Sequence, residues 1–294
     1  MSKPTARLRA QLNAGRTIWA AGAYDALSAR MIAEAGFDAI LTSGFGVSAS
    51  HLGRPDVELY TMTENLAVVR HACSVVDTPV VADCDTGYGN AVNVLRTVRE
   101  FEQAGVAGVI LEDQVSPKRC PACTDQTEII PIEEGVAKIR AAVAARRDPD
   151  LVIIARTDSR DEADAIRRAR AYAEAGADLV QPISRGFKTF DSLQRLQAGA
   201  GRKLSLQILG WLEKDLSREQ IESIAGMATF PLVPLMSVAA AMRANLAALA
   251  QAKTTRSLPR EVMGHEDFLR LIGFAEMERL QMEFLQTPEV CAAE

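Results

Sequence analysis

The chain has 294 residues, of which 48% are hydrophobic and 24% charged, and its formal net charge is −5. This composition predicts a globular protein with a large core, and the acidic balance argues against nucleic acid, which favours basic surfaces. We expect no membrane partner, since no uninterrupted apolar run reaches the ~18 residues of a membrane span, and the N-terminus does not resemble a signal peptide. Five cysteines, an odd number, argue against a disulfide framework, so we expect a cytoplasmic protein.

A short phrase recurs along the chain and indicates repeated strand–helix units. It reads Glu-Ala-Gly-Phe-Asp-Ala-Ile around Gly36, Gln-Ala-Gly-Val-Ala-Gly-Val around Gly105 and Glu-Ala-Gly-Ala-Asp-Leu-Val around Gly176. Each copy is typical of a helix that ends at a glycine and is followed by a short apolar strand.

The remaining patterns complete a regular alternation of strands and helices. Further strands are predicted at 17–21, 79–82, 151–155 and 204–209, and helices at 90–104, 133–145 and 162–175. Eight such units predict a closed (β/α)8 TIM-type barrel, a single domain over 1–294. An open doubly wound sheet is the alternative, but no Gly-x-Gly-x-x-Gly follows the first strand.

Two segments depart from this alternation. Residues 113–132 show no apolar periodicity, and a loop of this length in a compact domain is usually functional, so we predict an active-site lid. Residues 264–285 predict an extra amphipathic C-terminal helix. Its apolar face can cap its own barrel or pack against another subunit, and the pattern leaves both open.

Acidic side chains follow several predicted strands. They are Asp25 after the first strand, Asp83 and Asp85 after the third, Glu112 and Asp113 after the fourth, and Asp158 after the fifth, close to Arg156. Barrel enzymes place their chemistry at these strand ends, although helix capping explains Asp25 or Asp158 taken singly. Oxygen ligands without a histidine favour Mg²⁺, or Mn²⁺, over zinc.

The pair Cys120-Pro-Ala-Cys123 allows several interpretations. Zinc would need a second ligand pair, and a thioredoxin-like pair would follow a strand, whereas this one lies in a long loop. Alternatively, Cys120 is a working thiol whose pKa Lys118 and Arg119 would lower. An ordinary loop cysteine also remains possible.

Five motifs spread over nearly the whole chain are specific in combination. They are Ala23-Tyr-Asp-Ala-Leu-Ser-Ala, Thr42-Ser-Gly with Ser48-Ala-Ser, Asp83-Cys-Asp-Thr-Gly-Tyr-Gly-Asn, Leu111-Glu-Asp-Gln with Pro117-Lys-Arg-Cys, and Ile154-Ala-Arg-Thr-Asp. Together they resemble the isocitrate lyase/phosphoenolpyruvate mutase superfamily, nearest to its 2-methylisocitrate lyase, dimethylmalate lyase and carboxyphosphonoenolpyruvate mutase branches. The resemblance implies bound Mg²⁺ and a homotetramer, a dimer of dimers that exchange the C-terminal helix.

The resemblance also implies roles for the matching residues. Asp85 would bind the metal, supported directly or through water by Asp83, Glu112 and Asp56. The substrate-binding residues would be Tyr24, Ser43, Gly44, Phe45, Arg156 and Gln207. Lys118, Cys120 and Arg156 would be catalytic, with Cys120 protonating the departing carbanion.

The chain departs from the family pattern where the distal end of the substrate would bind. Pro121-Ala122 follow Cys120 in place of Gly-His, Gln181 stands for a glutamate, and Gln207 and Gly210 stand for an asparagine and a glutamate. Ile183, Leu209 and Trp211 would make this side more apolar. We therefore expect a distal group that is bulkier or less charged than that of methylisocitrate.

These inferences favour a Mg²⁺-dependent lyase that splits a carbon–carbon bond in a small 2-hydroxy di- or tricarboxylate and releases a 2-oxo acid such as pyruvate or glyoxylate. One alternative is a decarboxylase of the oxaloacetate type. Another is a phosphonomutase or phosphonopyruvate hydrolase, and Cys120 argues mildly against both. A barrel that binds a metabolite without turnover is the non-enzymatic alternative.

Overall fold

The computed structural model describes residues 2–119, 127–183, 186–210, 212, 214 and 216–285. The chain divides into two compact units, the first ending at Ser237 and the second beginning at Val238. This division differs from the predicted single domain over 1–294, because the barrel is complete before residue 238.

Eight parallel strands form a closed barrel in the first unit, in chain order and with the last strand beside the first. The strands are β1 (Ile18–Ala23), β2 (Ala39–Thr42), β3 (Val80–Asp83), β4 (Gly108–Glu112), β5 (Val152–Thr157), β6 (Leu179–Pro182), β7 (Leu204–Gln207) and β8 (Ala225–Phe230). The predicted (β/α)8 barrel is confirmed.

Helices alternate with the strands along the chain. They are α1 (Pro4–Asn13), α2 (Ala26–Glu34), α3 (Gly44–Val47), a π-helical turn (Ser48–Leu52), α4 (Met62–Val75), α5 (Ala91–Gln103), α6 (Ile132–Ala145), α7 (Glu162–Glu174), α8 (Phe190–Ala200), α9 (Arg218–Ile224) and α10 (Val233–Ala252). The recurring glycines were interpreted correctly: Gly36, Gly105 and Gly176 follow α2, α5 and α7 with φ of 82°, 98° and 111°.

The barrel interior is filled by one row of side chains from each strand. Val81, Ile110, Ile154, Leu179 and Met227 belong to one buried cluster. Because side chains alternate along a strand, the residue two positions further on faces the same way. The inward-facing positions at the carboxyl ends of β3, β4 and β5 are therefore Asp83, Glu112 and Arg156, which places the predicted site residues in one space.

The second unit contains α11 (His265–Leu271) and α12 (Phe274–Phe284). The predicted single helix over 264–285 is wrong, since Gly273, with φ of 87°, separates the two helices. Helix α10 has 20 residues and is long and apolar enough to cross a membrane, judged by length and composition alone, which is weak evidence for a span. The sequence prediction missed this helix because Arg243 and Asn245 interrupt its apolar run.

Candidate active site

Asp85 lies at the centre of the site, directly after β3. It is fully buried, and its backbone N–H donates to Asp83 Oδ1 over 3.1 Å. Its Oδ2 accepts hydrogen bonds from the Tyr60 hydroxyl at 2.6 Å and the Tyr88 hydroxyl at 3.0 Å, while Oδ1 accepts from the Lys118 ammonium. Every oxygen of this carboxylate therefore faces a donor.

Lys118 joins the carboxylates that the strands bring together. Besides Asp85, its Nζ lies 3.0 Å from Asp56 Oδ1 and 3.8 Å from Glu112 Oε1. Burial alone would lower the pKa of this amine, but Asp85, Glu112 and Asp56 outweigh it and raise the pKa well above its usual value. Lys118 is therefore a buried ammonium ion surrounded by acids.

The carboxylates of Asp56, Asp83, Asp85 and Glu112, here called the acidic cluster, carry more negative charge than nearby side chains balance. Burial raises the pKa of Asp83 to about 6, and the neighbouring Asp85 charge adds to the shift. Burial also raises the pKa of Asp56 and of Glu112, although Lys118 and Arg156 oppose it. An additional cation would relieve this repulsion.

Arg156 borders the acidic cluster at the end of β5. Its Nη1 lies 2.8 Å from Glu112 Oε2, and its Nε and Nη2 donate to the two oxygens of Asp158 at 2.7 and 2.9 Å. The capping interpretation of Asp158 is wrong, since Asp161 caps α7. Asp158 instead fixes the orientation of the guanidinium.

Two other acids at strand ends have structural roles. The Asp25 side chain caps α2 by accepting from Ser28 N over 2.7 Å, as the capping interpretation predicted. Asp113 lies one residue beyond Glu112 and so points outward, where Tyr172 and Arg168 donate to it at 2.8 and 3.2 Å.

The predicted substrate-binding backbone after β2 lies against the acidic cluster. Gly44 N–H donates to Asp83 Oδ2 over 3.2 Å, and a Cβ at Gly44 would lie 2.6 Å from the Tyr60 hydroxyl, so only glycine fits. Ser43 is buried and caps α3, and Phe45 is half-buried in that helix. Tyr24 is half-buried beside Gly46.

On β6 to β8 the inward positions carry uncharged polar side chains, Gln181, Ser205, Gln207 and Thr229, here called the neutral row. Gln181 Oε1 accepts from Ser205 Oγ at 2.8 Å and from Gln207 Nε2 at 3.2 Å. Within the described residues, Gln207 Oε1 and Thr229 Oγ1 are buried and find no hydrogen-bond partner. Such atoms are candidates for contacts with a ligand.

The predicted lid, 113–132, is described only at its two ends. Val115 N donates to Glu128 O, and Ile130 N donates to Asp113 O, both over 2.9 Å, so the ends of the loop pair with each other. Cys120, Cys123 and the neighbouring Pro121-Ala122 lie outside the described residues, as does Trp211.

Sequence reasoning missed several residues of this site. Tyr60, Asn65 and Tyr88 support Asp85, with Asn65 Nδ2 donating to the Tyr88 hydroxyl over 2.8 Å. Gln114 donates to Glu112 Oε1 over 3.0 Å. Tyr88 lies within the Gly-Tyr-Gly motif and could have been found, whereas Tyr60 carries no local signal.

The carboxylate oxygens of the acidic cluster are suitable ligands for a divalent cation. Three of its four carboxylates, those of Asp56, Asp85 and Glu112, lie within 4 Å of the Lys118 or Arg156 cation, so four negative charges face two positive ones. Among the described residues, no group of three or more His, Cys, Asp or Glu side chains forms a ready metal cage. Mg²⁺ commonly takes one or two carboxylates and keeps its other ligands as water, so the residues fit this ion.

Comparisons with known proteins establish the family of the chain. The phosphoenolpyruvate phosphomutase family model matches residues 8–253. The chain belongs to this family. The predicted membership of the isocitrate lyase/phosphoenolpyruvate mutase superfamily is thus confirmed, and so is the prediction of a lyase-type enzyme.

Relatives with different reactions are similar to the chain over most of its length. It is 37% identical over 284 residues to 2,3-dimethylmalate lyase of Eubacterium barkeri, covering 95% of this chain and 97% of the relative. It is 39% identical over 204 residues to oxaloacetate decarboxylase of Chromohalobacter salexigens, covering 69% and 70%. A crystal structure of phosphonopyruvate hydrolase with oxalate and Mg²⁺ matches with a TM-score of 0.87 at 32% identity, covering 97% of this chain and 100% of the other.

Proposed function

We propose that the protein is a Mg²⁺-dependent carbon–carbon lyase that splits a 2-hydroxy dicarboxylate of the alkylmalate type into a 2-oxo acid and a second carboxylate. The observation that carries the proposal is the division of the barrel mouth into an acidic cluster with Lys118 and Arg156 on one side and the neutral row on the other. The charged side suits the 2-hydroxy acid end of a substrate, and the neutral side suits an uncharged distal group.

The proposed metal ligand is Asp85, with Asp56, Asp83 and Glu112 supporting the metal directly or through water. A magnesium ion held there would polarise the carboxylate and the neighbouring 2-oxygen and so stabilise the negative charge that develops on them. Asp85 is held by Tyr60 and Tyr88, which fix its orientation for this role.

Arg156 and Lys118 are proposed to act on the same end of the substrate. Arg156 is aligned by Asp158 and would pair with the substrate carboxylate. Lys118, as an ammonium, would stabilise the 2-oxygen while the hydroxyl proton passes to a carboxylate of the acidic cluster and the C2–C3 bond breaks. The backbone of Ser43 and Gly44 would complete the carboxylate site, with the half-buried Tyr24 and Phe45 beside it.

The electron pair of the broken bond passes to C3, which must then be protonated. From the sequence we propose the Cys120 thiol as the acid, so that the thiol proton is transferred to C3. Cys120→Ser should lower kcat by about 100-fold or more, whereas the matched control Cys123→Ser should not. Full activity of the serine variant would remove the thiol from the mechanism.

The neutral row is proposed to receive the distal group. Neither Gln181 nor Gln207 carries a charge, so the third carboxylate of a tricarboxylate would lose water there without meeting an ion-pair partner from these two residues. Gln207 Oε1, which finds no partner in the described chain, would accept a hydrogen bond from a hydroxyl or amide of the ligand.

A substrate panel followed by NMR tests this function. The protein with Mg²⁺ is incubated with malate, alkyl-substituted malates, isocitrate-type tricarboxylates, oxaloacetate and phosphonopyruvate, with EDTA as control. Alkylmalates should give a 2-oxo acid and a carboxylate, and EDTA should abolish the products. Preference for a plain tricarboxylate would overturn the distal proposal. Faster turnover of oxaloacetate or phosphonopyruvate would replace the lyase by a decarboxylase or a phosphonate enzyme.

We further propose a cytoplasmic homotetramer built from helix-exchanged dimers. The side chains of Met242, Leu246, Phe274 and Met277 are 54%, 56%, 47% and 50% exposed in the single chain, and a second copy would cover them. Light scattering on the purified protein tests the assembly. Recovery in the membrane fraction after cell lysis would favour the alternative role of α10 as a membrane span.

A further inference from the structure

Glu58 has a backbone conformation that its residue type disfavours. It lies between the π-helical turn and α4 with φ of 55°, in the left-handed region that side chains rarely adopt. Among the described residues, four non-glycine positions have positive φ, and Asp85 and Tyr88 of the site are two of the others. Such strain persists only where the surrounding contacts impose it.

The contacts that impose it are made by the Glu58 carboxylate with two other loops. Thr86 Oγ1 donates to Oε1 over 2.6 Å, and Thr86 directly follows Asp85. Ser116 Oγ and Lys118 N donate to Oε2 at 2.8 and 2.7 Å. One side chain therefore joins the loops that follow β2, β3 and β4, the three strands whose exits carry Asp56, Asp85 and Lys118.

Lys118 is consequently held at two points. Glu58 holds its backbone N–H, while Asp85 and Asp56 hold its ammonium. A long lysine side chain has many rotamers, so the position of its charge depends on where its backbone is fixed. Without the Glu58 contact, the segment 116–118 loses the hydrogen bonds that set this position.

We propose that Glu58 is a positioning residue that fixes the segment 116–118 and thereby places the Lys118 ammonium against the acidic cluster. Glu58 acts through Lys118, and no direct contact with the reacting atoms is required. The structural part of the proposal stands alone, and only its kinetic consequence rests on the proposed lyase function.

The chain offers a matched control in Glu64. Its carboxylate also accepts from a backbone N–H and a hydroxyl, those of Thr61 at 2.7 and 2.9 Å, but it does so at the exposed start of α4. Glu64→Ala therefore removes the same kind of group from a neighbouring position that has only a capping role.

Hydrogen exchange reads the proposed contact directly, because the Lys118 amide is the donor. In Glu58→Ala and in Glu58→Gly, this amide should exchange about tenfold faster or more than in the wild type, and in Glu64→Ala it should not change. Glycine relieves the left-handed strain and alanine does not, so equal effects assign the change to the lost carboxylate.

Limited trypsin digestion gives an independent readout. The Lys118 side chain is 2% exposed, so cleavage between Lys118 and Arg119 should be slow in the wild type and about tenfold faster in Glu58→Ala and Glu58→Gly. Glu58→Gln retains one acceptor oxygen and should lie between. Ser116→Ala, which removes one of the three donors, should show a smaller increase and guards against failure of the Glu58 variants to fold.

The kinetic consequence is measured on the substrate that the panel identifies. Turnover should fall about tenfold in Glu58→Ala, recover in part in Glu58→Gln, and stay unchanged in Glu64→Ala. Unchanged exchange and cleavage in the Glu58 variants, or an equal increase in Glu64→Ala, would overturn the proposal. Altered exchange in a protein that turns over no substrate would support the positioning role and reject the proposed function instead.

Discussion

The two sides of the barrel mouth solve the problem of buried polar groups differently. On the exits of β2 to β5, the acidic cluster is held by Lys118, Arg156 and a shell of tyrosine and amide donors. On β6 to β8, the neutral row is uncharged, and buried oxygens of Gln207 and Thr229 have no partner in the described chain.

This difference separates the chemistry of the enzyme from its specificity. A preorganised set of charges stabilises a reaction that develops charge, so the acidic side is where the reaction would occur. Unpaired neutral groups contribute little to such charge but discriminate between ligands that can and cannot satisfy them. Relatives that match most of the chain are named for different acids, 2,3-dimethylmalate and oxaloacetate, which agrees with a common reacting end and a variable distal end.

The largest expected effect comes from the centre of the acidic cluster. Asp85→Asn should lower kcat by about 1000-fold or more. Asp85 is both the proposed direct metal ligand and the partner of Lys118, and the substitution removes its negative charge. The rise in melting temperature on adding Mg²⁺ should disappear in the same variant. A retained Mg²⁺ shift would move the metal away from Asp85.

Lys118→Met should have the next largest effect. It should lower kcat by about 100-fold, and in EDTA it should lower the free energy of unfolding by about 3 kcal/mol, because buried carboxylates lose their cation. Mg²⁺ should restore part of that stability. Chemical denaturation with and without Mg²⁺ measures both values, and equal stability of the variant and wild type in EDTA would contradict the charge argument.

On the neutral side, Gln207→Leu should have a smaller and more selective effect. It should lower kcat/KM about fivefold for substrates with a hydrogen-bonding distal group, since one hydrogen bond is worth about 1 kcal/mol. The Mg²⁺-induced shift in melting temperature should not change. A loss of that shift would show that the two sides are not independent.

The smallest effect on activity is expected from Cys73, which lies in α4 away from the acidic cluster. Burial raises the pKa of Cys73 to about 12, so its thiolate is rare at pH 8 and iodoacetamide should label it about 1000-fold more slowly than a free cysteine. Since the folded pKa lies above this range, labelling should rise about tenfold per pH unit from 8 to 11. Cys73→Ser should leave turnover unchanged, and mass spectrometry of the labelled peptide provides the check.

Much of the barrel could be read from local patterns. A few adjacent residues determine where α2, α5 and α7 end at a glycine and where the next apolar strand begins. The positions of these helix ends and strands were therefore predicted within a few residues. The C-terminal segment was not, because the apolar periodicity of 264–285 continues across Gly273, where the backbone turns.

The acids of the site show the same limit. Asp83 and Glu112 were predicted to converge because the ends of parallel strands meet at one mouth. Asp113 and Asp158 also follow strands in the sequence. Strand alternation, however, turns Asp113 outward to Tyr172, and Asp158 accepts a hydrogen bond from Arg156. Their roles depend on neighbours that lie far along the chain.

By itself, the sequence determined the barrel, the family and the identity of the charged residues at the strand exits, because each depends on short-range spacing. Only the tertiary structure decided which charges meet and what holds them. Tyr60 reaches Asp85 and Glu58 reaches Lys118 across 25 and 60 residues of chain. Contacts at such separations follow from the closure of the barrel, and no local pattern encodes them.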